Sequence, residues 1–543
     1  MKKYFLLIIL LLSVRSAWGQ PVDIWGLPVE VNGIMYNLND NLQEKKARVT
    51  NKQEINGYWS QKEYVGNLVI PSTITVDEEV YTVTNIDWEC FTPSKNLTSV
   101  TIPSTVKSLA YGAFRDCTGL KSVTLPNTLE SLEQFCFENC TNLTSINLPA
   151  SLKSVHEGCF RNCKSLSSIH VPASLSASCF SGCTGLTSVT FSDAVTSLGD
   201  YCFFECQGLT TLNLPNSITS IGAYCFYKCT NLSSIKLSNA ITSLDDIFYG
   251  CTGLRSIIIP ESVTSMNGTF MNCTSLNSVS IPASVTSMAR CFKNCTSLSS
   301  IALPNSVTNI DGCFEGCTSL STISIPASVT SIGQQTFSDC TELYSVSIPS
   351  SVTSLGWGCF RNCTSLYNIT LPNSITSMDD CCFLGCTSLG SIDLSDNLEA
   401  LSRLCFKKCS NLSSITVPAS VKTVGDWCFQ ESGLSSITML PPTPPATNED
   451  VLYSIEIFLG APLRTIYVVD EKAKALYEAA LPWNRYDIVA LQSGIDDVQL
   501  GEDEPRITDF YDLSGKKLNG TYRGPAIVRY HDGTTRKVVM QEN

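Results

Sequence analysis

The sequence predicts a repeat solenoid: a curved right-handed coil with a parallel β-sheet on one face, mostly β and loop, with short helical turns. Three observations carry this. A cysteine recurs fourteen times from Cys117 to Cys409, at steps of 20 to 23 residues. Each copy follows the pattern L-x-S-I-x-L-P-x-S-V-T-S-I-G-x-x-C-F-x-x-C-T. Sixteen leucine-anchored copies run from Leu97 to Leu434. A steady period in the twenties is the mark of stacked coils.

One unit cannot fold alone. It turns about six apolar side chains inward, each worth roughly 1.5–3 kcal/mol when buried. Ordering its backbone costs about 1–2 kcal/mol per residue. Stacking buries each apolar face on two neighbours and completes the backbone hydrogen bonds. Within a unit, "SSIAL" alternates like a short strand. A proline such as Pro304 then ends the ladder. "SVTNI" is a second extended piece, and "DGCFEGC" is a turn or short helical piece that carries Phe inward. Leu298, Ile301, Leu303, Val307, Ile310 and Phe314 are expected to be buried. The "LxSIxL" segments are expected to form one long parallel sheet.

Two irregularities stand out. Four successive steps from Cys229 to Cys317 are 22 residues, and "SIGAYCF" shortens to "SMARCF". The shorter turn is expected to tighten the coil there. The 20-residue step from Cys163 to Cys183 loses most of "VTSIG" and is expected to leave a dent beside "ASLSASCF".

Leu-x-x-Ile-x-Leu-Pro with "SVTSIG", then "CF" and "C", resembles the BspA-like leucine-rich repeats of bacterial surface proteins. The resemblance covers residues 66–440 and implies a leucine-rich-repeat solenoid. It also implies an adhesin-like role in binding host proteins.

Around the solenoid the chain divides by composition. Residues 1–19, "MKKYFLLIILLLSVRSAWG", read as a secretory signal: Lys2 and Lys3, an apolar stretch, then Ala17 and Gly19. Residues 20–65 read as a hairpin-forming N-terminal cap. "MLPPTPPATNED" breaks the period. Residues 441–491 then give a strand, a helix and a strand, resembling the closing cap often found after such repeats. Tyr477 and Trp483 are read there as packing residues. Residues 492–504 are an acidic linker. Residues 505–543 read as short β-hairpins, with turns at Ser514-Gly515, Asn519-Gly520 and Asp532-Gly533. That tail resembles C-terminal sorting modules of bacteria with type IX secretion. It lacks the usual tyrosine in "RGPAIVRY" and ends in "QEN", so a plain β tail is the alternative.

The 27 cysteines fall in two columns, one ending each copy and one preceding Phe, with Cys381 left over. Ala113, Ile247, Thr269 and Thr336 replace the second kind, which a metal-ligand column would not tolerate. Cysteines four apart on a helical turn are too distant for a disulfide. Identical neighbours in successive coils offer no unique pairing. Buried free thiols acting as small core residues are the expected state, with a few disulfides as the alternative.

The chain is acidic, with 49 Asp+Glu against 36 Lys+Arg and a net charge of −13; loss of the leader, with three cations and no acid, makes it −16. No basic cluster favours nucleic acid or an anionic membrane, and no run reaches the length of a membrane helix. His156, His170 and His531 are scattered. No nucleophile motif, phosphate loop or carboxylate pair stands out. No enzyme activity, catalytic residue, metal or cofactor is expected, and the chain is expected to be a monomer. The Asn-x-Thr motifs at Asn272, Asn294 and Asn362 read as by-products of the repeat.

The expected function is an exported scaffold, at the cell surface or outside the cell, that binds a host or neighbouring-cell protein. A surface glycan-binding protein is the alternative. Strand positions between the inward residues should face out, giving a nearly uncharged stripe from Thr101 to Thr416 that includes His170 and Lys236. Tyr344 and Tyr367 hold the same place in adjacent coils, about 4.8 Å apart along the ladder, and Asn368 follows. Tyr344, Tyr367, Asn368, His170 and Lys236 are the candidate partner-binding residues. The alternative for the tyrosines is that they only cover the strand edge.

Overall fold

The computed structural model describes residues 28–39, 45–55, 58–447 and 457–491, and the strands Ile507–Asp512, Gly524–Tyr530 and Thr535–Met540. The expected signal, the acidic linker and the three tail turns lie outside the described residues. Among the described residues no helix is long and apolar enough to cross a membrane. The fold is a parallel β-solenoid of the leucine-rich-repeat type, mostly strand and turn. Its contacts form two units. One comprises residues up to Thr242 with Ile247–Leu254, the other Ser243–Asp246 with Arg255 onward.

The first unit opens with a hairpin. Strand Pro28–Val31 turns at Asn32 and Gly33, both left-handed, into Ile34–Asn39. Lys46–Thr50 follows antiparallel, then pairs in parallel with Glu79–Ile86. Ala47 and Val49 are fully buried. The Tyr64 hydroxyl donates to the Thr50 carbonyl at 2.6 Å and accepts from the Met35 N–H at 3.2 Å, pinning hairpin to coils.

Each coil then contributes to two ladders. The "LxSIxL" ladder registers Ser122 with Ser99 and Ser145, a shift of one repeat. The "SVTSI" ladder registers Leu132 with Leu109 and Val155 in the same way. Register therefore follows the sequence period directly. Where the step drops to 20 residues, the second ladder shrinks to single bridges through Leu175.

In the second unit the 22-residue coils also reduce that ladder to single bridges, Ser243–Ser265–Ser287–Asn309. Two-residue strands return at Ser331–Ile332, Ser354–Leu355 and Ser377–Met378. The missing residue thus shortens the second ladder. The final coils join Ser414–Val417, Ser436–Met439, Thr465–Val468 and Asp487–Ala490 in one parallel sheet. Helix Glu471–Ala479 lies between the last two strands, its first turn capped by the Asp470 carboxylate. Tyr477 and Trp483 are buried; the Tyr477 hydroxyl donates to the Pro441 carbonyl, and Trp483 meets Phe458 edge-on.

The expectation of one continuous sheet is corrected. The first ladder is broken into short parallel sheets of two to four strands. Residues 300–302 form no strand, so the ladder stops between Ser278–Ser280 and Thr322–Ser324. Lost pairing opens a groove of about 650 Å³ lined by Val279, Ile301, Leu303 and Thr322. Ile301 and Leu303 are only half-buried, against expectation, as are their counterparts Val279 and Val346 within strands, while Leu298, Val307, Ile310 and Phe314 are fully buried.

A column of phenylalanines runs through each unit. In the first, rings from Phe91 to Phe248 stack at 4.7–5.6 Å. In the second, rings from Phe270 to Phe458 stack at 5.3–5.9 Å. The coil rise sets this spacing, and the rings fill the interior of the turn.

Candidate functional site

Two edges of the coil carry accessible side chains: the strand face and the turn. The turn is built on two left-handed residues per coil. One precedes Phe by two positions, as in Gly358, Cys381 and Trp427; the other precedes the terminal cysteine, as in Asn294, Asp339 and Asn362. Glycine and asparagine suit such backbone. The asparagines also form a ladder. Asn162 Nδ2 donates to Asn139 Oδ1 at 2.9 Å, and Asn294 Nδ2 to Asn272 Oδ1 at 2.8 Å. The Asn-Cys-Thr motifs thus have a structural reason.

The cysteines line the interior behind this turn. All 27 are free and buried. The terminal cysteines do more than fill space. Cys363 Sγ donates to the Phe337 carbonyl at 3.1 Å and Cys386 Sγ to the Phe360 carbonyl at 3.0 Å, each reaching back one coil. A thiol is small enough for the column and still offers the buried carbonyl a weak donor. Burial pushes these thiols up, Cys183, Cys229 and Cys313 to about 12. Among the described residues no group of three or more His, Cys, Asp or Glu could hold a metal ion.

Cys381 differs. It is 6% exposed where the other cysteines are 0%. A thiol-reactive disulfide reagent added to the native, reduced protein is expected to label Cys381 first. Cys381→Ser should abolish that fast phase. Persistence of the fast phase in the variant would place the reactive thiol elsewhere.

On the strand face, the outward positions are exposed as expected, apart from a half-buried Thr101. In the first unit, His170 Nδ1 lies 3.0 Å from Thr190 Oγ1, and Lys236 extends from its strand opposite Asn213. In the second unit, Tyr344 is 54% and Tyr367 65% exposed. Gly390, at the same place in the next coil, lies beside the Tyr367 ring: a Cβ there would sit in ordinary contact with its Cε2, at 3.5 Å. Asn368 starts the strand Asn368–Thr370 and is exposed. Tyr344 and Tyr367, with Asn368 beside the second, thus occupy corresponding exposed places on successive coils of one unit.

Sequence reasoning placed Ile258 on the stripe without singling it out, yet it is 81% exposed at the end of strand Ser256–Ile258. Its signal was an apolar residue in a column of Ser, Thr and Asn. From Ile258 through Ser280, Ala302, Ser324 and Ser347 to Thr370 the stripe carries no charge. The groove at Ile301 lies within this span.

The chain matches the family described as BspA type leucine rich repeat region (6 copies) over residues 84–178, 173–269, 266–378 and 336–443. A leucine-rich repeat protein from Bacteroides ovatus has a similar structure, with a TM-score of 0.56 and 25% identity, over 72% of this chain and 95% of that one. A leucine rich cell surface protein from Faecalibacterium prausnitzii aligns at 25% identity over 68% of this chain and 94% of its own, with a TM-score of 0.43. The pneumococcal vaccine antigen PcpA aligns at 18% identity over 86% and 98%, with a TM-score of 0.34. No curated protein matches the chain. Repeat proteins of this kind are in general binding scaffolds rather than catalysts. With its period, its two ladders and its cysteine and phenylalanine columns, this chain belongs to the BspA-type leucine-rich repeat family.

Proposed function

We propose that the protein is an exported, adhesin-like scaffold that binds a protein partner through the strand face of its second unit. The observation that carries this is the pair Tyr344 and Tyr367, aromatic side chains exposed by more than half in adjacent coils, beside the stripe that bears the exposed Ile258. Monomeric proteins seldom display adjacent exposed aromatics of this kind without use. Aromatic anchors with small polar neighbours are the usual composition of binding hot spots. Absence of charge on the stripe from Ile258 to Thr370 favours recognition by shape and hydrogen bonds over electrostatic steering. Asn368 supplies an exposed amide beside the second ring. His170 and Lys236 extend the candidate surface in the first unit. Export rests on the leader "MKKYFLLIILLLSVRSAWGQ" and on the family's place at bacterial surfaces.

The test is a binding screen of the purified chain against extracellular matrix and cell-surface proteins, repeated with Tyr344→Ala and Tyr367→Ala combined. Each ring is exposed, so the variant should keep its circular dichroism and melting profile. Its affinity is expected to fall by about 2 kcal/mol or more, roughly thirtyfold. Unchanged affinity in a folded variant would reduce the tyrosines to strand cover.

A further inference from the structure

The turn edge of the second unit carries a cluster with no counterpart elsewhere among the described residues. At the position after Phe, cations in other coils stand beside an acid of the adjacent coil. Arg115 and Arg161 both approach Glu138, Arg115 Nε at 2.9 Å, and Lys293 Nζ lies 2.7 Å from Glu315. The same column later reads Arg361, Leu384, Lys407. Leucine stands where the acid would be. Among the described residues neither Arg361 nor Lys407 makes an ion pair, and Arg361 Nε is buried without a hydrogen-bond partner.

Neighbouring coils add to this edge. The Cys381 N–H donates to the Arg403 carbonyl at 2.9 Å, and the Gly385 N–H to the Lys407 carbonyl at 2.8 Å, which fixes these coils side by side. Arg403 is exposed, and its guanidinium lies 4.6 Å from the centre of the Trp427 ring. Arg361 lies 6.0 Å from the Trp357 ring, which is 37% exposed. The Cys381 thiol between them feels burial and the Asp380 charge first, opposed by the charges of Arg361, Arg403 and Lys407. Acids share the edge too: Asp379 and Asp380 on the coil between, Asp426 on the next, and Glu431, whose carboxylate lies 3.8 Å from Lys408 Nζ. The Asp380 carboxylate accepts the Arg403 backbone N–H at 3.0 Å, which directs it to the main chain.

We propose that Arg361, Arg403 and Lys407, with Trp357 beside them, form a second binding site that takes an acidic polysaccharide. The chemistry is complementary. Guanidinium forks bind sulfate or carboxylate through paired hydrogen bonds. An exposed indole offers an apolar face for a sugar ring. Cations two coils apart, roughly 10 Å along the stack, suit anions repeated along a chain better than a single ion. This site lies on the turn edge, apart from the strand face, and does not depend on the protein-binding reading.

The test uses the full reduced chain on immobilised heparin, with neutral dextran and polyglutamate as comparison probes. Heparin is expected to bind, and more weakly as salt rises. The triple variant Arg361→Gln, Arg403→Gln, Lys407→Gln should bind about tenfold more weakly or worse. Trp357→Ala should weaken binding by a few-fold. A control that removes charge elsewhere, Lys153→Gln with Lys422→Gln, should bind normally, as should Tyr344→Ala with Tyr367→Ala. Three results would overturn the proposal: no heparin binding, an equal loss in the lysine control, or polyglutamate binding as tight as heparin. Circular dichroism of each variant confirms that a loss reflects the site and not unfolding.

Discussion

Raising the pH from 9 towards 12 under reducing conditions is expected to unfold the solenoid. The ordinary thiol value is 9.0, and burial holds Cys183, Cys229 and Cys313 near 12 and others, Cys136 and Cys140 among them, well above 9.0. In that window an unfolded thiol has lost its proton while the folded one keeps it. The unfolded state then binds fewer protons, so stability falls as pH rises. Below pH 9 the full contribution is present. Each such thiol removes up to about 1.4 kcal/mol per pH unit. A handful acting together exceeds the roughly 5–15 kcal/mol that holds a domain folded. Circular dichroism against pH reads the result. A native signal retained at pH 12 would mean that the thiols are not interior protonated groups.

Phe360→Ala is expected to cost about 3–5 kcal/mol. Phe360 is fully buried and lies between Phe337 at 5.4 Å and Phe383 at 5.3 Å. Removing it strips a face from both neighbours, and a coil held only by its neighbours cannot collapse around the gap. Phe360→Leu keeps most of the volume and should cost less than about 2 kcal/mol. Urea unfolding measures both. An alanine variant as stable as the parent would show that the aromatic column carries little of the stability.

These columns were plain in the sequence because every coil repeats them. The period set register, inward residues and the outward stripe, since each coil can only pair in step with the next. Features that belong to one coil were not legible. Nothing in "SSIAL" distinguishes residues 300–302 from strands elsewhere, and the lost pairing there arises only in the stack. The thiol donation from Cys363 to Phe337 joins residues 26 apart. The cluster of Arg361, Arg403 and Lys407 draws on two coils and is marked chiefly by Leu384 in the coil between them, an apolar residue conspicuous only beside Glu138 and Glu315. Tyr344 and Tyr367 were visible as breaks in a column of small polar residues, but the approach of the second ring to Gly390 was not.

Binding through the strand face of the second unit is tested most directly by hydroxyl-radical footprinting of the chain with and without its partner. Ile258, Tyr344 and Tyr367 are exposed and should oxidise readily in the free protein. All three are expected to be protected in the complex, while Trp88 in the first unit, 60% exposed, stays reactive. Unchanged oxidation at Ile258, Tyr344 and Tyr367 in a saturated complex would place the partner elsewhere and contradict binding through this face.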